Sequence, residues 1–442
     1  MILAQTPPPL PAHGLLIFLL QVAVLLIGAF ALGRVAERFG MPAIVGELLT
    51  GVVLGPSLIG HLAPDFANWL IPPVSEQMHL LDAVGQIGVL LLVGVTGAHL
   101  DMTLLRRRAI SAVLVSFFGL VIPLGLGIAV GAYMPADMRG AGIPTWVFAL
   151  FLGVAMCVTA IPVIAKTLTD MRLLHRDVAQ LTLASGTVDD SIGWFLLSIV
   201  SAAAGVGVTA GAVTRSVLYL VGFVMLAVVV GRPLIARIMQ HAARSGPLSS
   251  IVFAVVLVIL GGALTQSLGM EAIFGAFVIG ILVGLPGVAD QRHLAPLRTI
   301  VLSVLAPLFM ATAGLRMDLT ALADSSVALA AVVVLVIAIF GKFAGAYLGA
   351  KLARISHWEA VALGAGMNAR GVVEVIVALT GLRLGVLTTA TYTIIVLVAI
   401  VTSLMAPPLL RWAIGHLEPS EAETLRRAKH DSWAGTATVD ER

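Results

Sequence analysis

The stretch Ala179-Gln180-Leu181-Thr182-Leu183-Ala184-Ser185-Gly186-Thr187-Val188-Asp189-Asp190-Ser191-Ile192-Gly193-Trp194-Phe195-Leu196-Leu197 decides how this chain is read. It is long enough to cross a bilayer, and two adjacent carboxylates sit at its middle with no basic residue beside them. A carboxylate at that depth costs at least about 2.5 kcal/mol on insertion scales, so it is kept for a partner, a water-filled path or an ion. The pair is read as a cation-binding site.

Composition agrees with a membrane setting. Of 442 residues, 59% are hydrophobic and 11% charged, with a mean hydropathy of +1.06. Soluble domains carry about 25% charged residues, so the chain is read as an all-α polytopic membrane protein. In a soluble protein the net charge of +3 and pI of about 9.3 would hint at nucleic acid. Here the basic residues fall mostly in loops and report membrane sidedness, so no nucleic-acid partner is expected. Cys157 is the only cysteine, which excludes an internal disulfide and a thiolate metal cluster. The first thirteen residues have three consecutive prolines and no basic region, so the first helix is expected to be retained rather than cleaved.

Apolar segments of spanning length lie near 15–33, 42–60, 84–100, 110–132, 147–168, 178–204, 213–231, 249–265, 269–285, 299–317, 326–350, 356–380 and 388–410, about 13 transmembrane helices. With the N-terminus outside, the inner side receives Arg34, Arg38, Arg106, Arg107, Arg108, Lys166, Arg172, Arg176, Arg232, Arg237, Arg244, Arg292, Arg298, Lys351, Arg354 and Arg411. The outer side receives Arg139, Arg215, Arg316 and Arg383, and this asymmetry supports thirteen spans with a cytoplasmic C-terminus. The basic joint at 232–246 reads as amphipathic and interfacial. Pairs such as Gly341 and Gly345, or Gly51 and Gly55, read as small-residue packing faces.

Two segments look interrupted halfway across. The fifth contains Thr159-Ala160-Ile161-Pro162-Val163, where Pro162 removes a backbone donor and Thr159 offers a hydroxyl near the carbonyls set free; a simple proline kink is the alternative. The twelfth contains Gly364-Ala365-Gly366-Met367-Asn368-Ala369-Arg370-Gly371, better suited to an opened helix with carbonyls available to an ion. The two run in opposite directions, seven segments apart, as an inverted repeat with two crossed discontinuous helices would place them. Lys342 lies deep in the preceding helix and calls for an anion; Asp189 is the preferred partner, with snorkelling to the inner surface as the alternative. Arg370 and Glu374 stand four residues apart and can bridge on one helix face. Glu47 and Glu271 read as bundle contacts rather than ligands, and His99 as an inner-boundary residue or a pH sensor. Phosphate-binding loops, paired His/Cys metal motifs and serine-hydrolase patterns are absent, so neither a cofactor nor an enzymatic activity is expected. Adjacent aspartates on one helix point about 100° apart and cannot form a protease dyad alone.

Six motifs in order now carry a family likeness: Val45-Gly46-Glu47-Leu48-Leu49-Thr50-Gly51-Val52-Val53-Leu54-Gly55-Pro56-Ser57, Thr159-Ala160-Ile161-Pro162-Val163, Val188-Asp189-Asp190, Ile273-Phe274-Gly275-Ala276-Phe277, Gly341-Lys342 and Asn368-Ala369-Arg370-Gly371. From about Val35 to Ile414 the chain resembles bacterial monovalent cation:proton antiporters of the second cation:proton antiporter family, which includes sodium/proton exchangers and the membrane domains of potassium efflux systems. The resemblance implies a homodimer in the inner membrane. It implies a membrane unit over 1–414, with a core domain near 84–204 and 299–380, a dimer domain from the remaining helices, and a cytoplasmic tail at 415–442. Asp190 would bind the cation and protons, with Asp189 the preceding acid, Lys342 its charge partner and Thr159 beside the ion. Pro162, Asn368, Arg370 and Glu374 would support the helix breaks. The pattern departs at His99 and Glu271, where relatives often carry glutamate and histidine. Sodium or lithium exchange for protons, electrogenic with two protons per cation, is the expected activity; potassium/proton exchange is the alternative, and a cation channel a more distant one.

Overall fold

The computed structural model describes residues 10–72, 75–98, 109–160, 164–165, 168, 171, 173, 176–206, 210–418 and 423, with backbone alone at 75, 205–206 and 210–217. The sequence features at His99, Arg106, Arg107, Arg108, Pro162, Lys166, Arg172 and 424–442 lie outside the described residues.

The chain builds helices α1 (Ala12–Arg38), α2 (Ala43–Leu54), α3 (Ser75–Ala98), α4 (Ala109–Tyr133), α5 (Thr145–Cys157), α6 (Asp177–Val206), α7 (Ala210–Leu226) and α8 (Arg232–Arg244). There follow α9 (Pro247–Ser267), α10 (Ala272–Gly284), α11 (Gln291–Ile300), α12 (Ala306–Gly314), α13 (Ser325–Leu352), α14 (His357–Met367), α15 (Val372–Arg383) and α16 (Thr389–Ile414). Local chemistry sets several starts. Asp324 caps α13 through the Ser326 amide, Thr388 caps α16 through the Thr391 amide, and Ser356 with Glu359 forms a capping box on α14.

Among the described residues ten helices are long and apolar enough to cross a membrane, and the α14–α15 pair, bent by 42°, gives an eleventh candidate. Two of the thirteen expected segments, the fifth and ninth, hold helices of only 13 residues, α5 and α10. At 1.5 Å per residue such a helix covers about 20 Å of a hydrocarbon core about 30 Å thick. The basic joint continues α7 through a π-helical turn at Ala227–Gly231, and Leu218–Arg244 as a whole is long and apolar enough to cross a membrane.

Packing sorts these helices into two groups. The first contains α1, α2, α3, α9, α10, α11 and α12, with α8 laid on α9 and α10; the second contains α4, α5, α6, α13, α14, α15 and α16. The groups touch more thinly, through α6 on α10, α12 on α15 and α2 on α16. Small residues allow the close approaches inside each group. A Cβ at Gly51 would lie 2.0 Å from the Ala311 carbonyl oxygen on α12, and one at Gly345 would lie 2.3 Å from that of Phe118 on α4. The second contact draws α13 and α4 together around the middle of α6.

Candidate functional site

Helix α5 stops in the protein interior. Its last residue, Cys157, is followed by extended backbone at Val158 (ψ 153°), so carbonyls at the helix end lose their intrahelical partners. Two cationic side chains satisfy them. Arg370 donates to the carbonyls of Ala155 (3.1 Å) and Met156 (2.5 Å), and Lys342 donates to that of Cys157 (2.6 Å). Both charges also suit the negative end of the helix dipole.

The second interruption, Asn368–Gly371 between α14 and α15, meets the first directly: the Ala160 amide donates to the Ala369 carbonyl at 3.2 Å. Arg370 extends its fork to the Ala338 carbonyl on α13 and to Glu374 Oε1, each at 3.0 Å, and Ser403 donates to the Arg370 carbonyl. Asn368 Nδ2 donates to the Ile339 carbonyl at 3.0 Å. Arg370 and Glu374 are fully buried, as their four-residue spacing and depth imply.

The adjacent acids on α6 have opposite surroundings. Asp189 accepts from three donors: Ser116 on α4 at Oδ1, and Thr159 (2.8 Å) and Lys342 (2.5 Å) at Oδ2. Lys342 and Asp189 are both 0% exposed, so the lysine turns inward to its acid instead of snorkelling. Asp190 is 1% exposed, and neither of its oxygens has a hydrogen-bond partner among the described residues. Adjacent helical residues point about 100° apart, and that rotation separates a satisfied acid from an orphaned one.

Thr159 turns its hydroxyl to Asp189, one of the two acids read as the ion site. Carbonyls of Ala155, Met156 and Cys157 at the first break are capped by Arg370 and Lys342. Pro162 lies outside the described residues. Glu271 is a bundle contact, bonded to Arg383 at 2.8 Å, and Glu47 lines a cavity. That cavity, about 650 Å³, opens among α1, α2, α11 and α12 with Val372 of α15 in its wall, and Arg34, Glu37 and Arg298 border it. Sequence reasoning missed Ser116 and Ser403, because an isolated serine in an apolar helix carries no visible signal of its partner.

The family pattern described as sodium/hydrogen exchanger, transmembrane, matches residues 22–414. The Na(+)/H(+) antiporter NhaS4 of Synechocystis is 31% identical over 402 residues, covering 90% of this chain and 97% of the relative. Cation/H(+) antiporter 19 of Arabidopsis thaliana is 28% identical over 97% of this chain, which spans only about half, 54%, of that relative's length. The solved sodium proton antiporter MjNhaP1 of Methanocaldococcus jannaschii shares the fold with a TM-score of 0.68 at 16% identity, covering 91% of this chain and 97% of the other.

Proposed function

The chain belongs to the transmembrane sodium/hydrogen exchanger family, and from that premise we infer that it is a secondary active antiporter exchanging sodium or lithium for protons by alternating access. Members of this family are transporters rather than catalytic enzymes. The observation that carries the assignment is the orphaned carboxylate: Asp190 is buried with two oxygens unpartnered among the described residues, next to an acid that has three donors. An ionised carboxylate in that position is too costly to stand alone. It therefore exchanges one companion, a proton, for another, a dehydrated monovalent cation.

The cycle uses both acids. Asp190 gives up its proton and binds the cation; Asp189 joins the coordination as Lys342 withdraws from it. The group around α4–α6 and α13–α16 then moves against the group around α1–α3 and α9–α12, exposing the site to the other side. We place α3, α11 and α12 with the stationary group and α16 with the moving one, in place of the sequence ranges 84–204 and 299–380, because packing partners and not chain order define a rigid body. Arg370 and Glu374 travel within the moving group and hold its breaks closed on each other.

The finer reading keeps thirteen spans, α5 and α10 each forming part of a crossing, arranged as an inverted repeat with the N-terminus outside. It places a homodimer of the second cation:proton antiporter family in a bacterial inner membrane. Two acids and a releasable lysine favour two protons per cation. Moving one net charge across the membrane is worth about 2.3 kcal/mol per 100 mV, so inward protons can drive cation export. Potassium in place of sodium is the second reading, supported by the shared carboxylate chemistry.

The test is cation-dependent proton movement in liposomes containing the full chain, with sodium, lithium and potassium added separately and Asp190→Asn as control. Sodium-driven movement that the variant lacks is the expected result. Potassium alone moving protons replaces the substrate, and equal activity of Asp190→Asn defeats the mechanism.

A further inference from the structure

One donor to Asp189 has no role in the cycle above. Ser116 lies on α4, 0% exposed, between Val115 and Phe117. Hydroxyls inside helices commonly return to the carbonyl four residues back, as Thr182 does to Val178 (2.7 Å) and Ser191 to Thr187 (2.8 Å). Ser116 reaches across to another helix and donates to Asp189 Oδ1. The distribution of donors is uneven: Lys342 and Thr159 both bond Oδ2, and Ser116 is the donor at Oδ1.

We propose that Ser116 is a positioning residue for cation exchange, holding Asp189 in place so that Lys342 can withdraw when the cation arrives. With the lysine gone, Thr159 still bonds Oδ2 and Ser116 still bonds Oδ1, so each oxygen keeps one hydroxyl. The Ser116 bond strengthens at that moment, because its acceptor is no longer neutralised by an ammonium. Without Ser116, Oδ1 stands bare in a low-dielectric interior and the withdrawal of Lys342 becomes harder. The cation then competes less well for the site.

This inference rests on the exchange cycle proposed above, and its test separates the two. Ser116→Ala removes one hydroxyl and inserts a strong helix former, so the fold is retained. In liposomes the apparent KM for sodium should rise about three- to tenfold, the size of a partly lost charge-assisted hydrogen bond. The maximal rate should stay within about twofold, since the lost interaction acts on cation competition. Sodium-dependent thermal stabilisation in detergent should shift to higher sodium by the same factor, without any transport being measured. An unchanged KM, or a reduced maximal rate at unchanged KM, overturns the proposal. The same substitution in a Lys342→Ala background should leave KM unmoved, because no lysine remains to be displaced; an equal shift in both backgrounds makes Ser116 a packing residue and overturns it too. A wild-type protein that moves no protons with any cation defeats the exchange reading itself, whereas Ser116→Ala behaving as wild type defeats this inference alone.

Discussion

Two fully buried ion pairs sit on the same helix end and are built for different purposes. Arg370 distributes its planar fork over three carbonyls and Glu374, on three separate helices. Lys342 holds one carbonyl and one carboxylate oxygen through a single rotatable ammonium. A guanidinium with several oriented bonds cannot leave without uncapping all of them, whereas an ammonium on a flexible stem can give up one partner and keep the other. The first pair fastens the crossing of the two breaks. The second is the movable element beside the orphaned Asp190.

If that contrast is right, Arg370→Ala should be the most damaging change at the site. It leaves Glu374 as an uncompensated buried acid, a loss of about 3–5 kcal/mol, and also uncaps the end of α5; thermal unfolding in detergent would read it. Arg370→Lys should recover little of this, since an ammonium cannot reproduce the fork. A full recovery would erase the distinction between the pairs. Lys342→Ala should also destabilise, by about 3 kcal/mol through the stranded Asp189, but adding Asp189→Asn should return much of that loss, because of the two hydroxyls, Ser116 and Thr159, one can donate to the amide oxygen and the other can accept from the amide nitrogen. The corresponding double change at Arg370 and Glu374 should return less, because the carbonyls remain uncapped. Double-mutant cycles on unfolding would settle both.

The outlying pair Arg383–Glu271 tests the role of burial. Its arginine side chain is 45% exposed while that of Glu271 is only 7% exposed, so Arg383→Ala should cost about 1–3 kcal/mol in the same assay, less than Arg370→Ala because the remaining acid lies nearer water. The smallest effect concerns Asp324, exposed at the start of α13, where the Ser326 hydroxyl and amide hold its carboxyl below the usual carboxylate range. A depressed folded value means that this contribution is present above the unfolded value and lost as pH falls through the lower folded one. Asp324→Asn keeps a capping oxygen and should flatten that acid-side slope slightly in unfolding curves measured against pH. An unchanged slope would show that the cap does not report on α13.

Much of the site could be read in the chain. Two acids, a lysine, and an arginine four residues before a glutamate are costly at membrane depth, so their presence alone announced partners, and Lys342–Asp189 and Arg370–Glu374 are the partners found. The stretch at 364–371, with three glycines and Asn368, announced a helix interruption for a similar reason, and the bend of 42° between α14 and α15 lies there. Ser116 and Ser403 gave no such signal. A hydroxyl in an apolar helix can satisfy itself locally, and only the approach of α4 to α6, or of α16 to the second break, reveals another use.

The membrane class, the interrupted helix and the presence of charges needing company were legible in the chain alone, because desolvation makes each of these expensive wherever the chain folds. Which acid is satisfied and which is orphaned followed from packing. That choice depends on the rotation of α6 against the helices that surround it: about 100° separates Asp189, facing Ser116, Thr159 and Lys342, from Asp190, whose oxygens meet no donor among the described residues. The same holds for the carbonyls at the end of α5, which are exposed by a local break and covered by side chains from α13 and the second break, more than 180 residues away in the chain. Hydrophobicity is a property of segments and survives in one dimension; donor geometry at a site assembled from five helices is not.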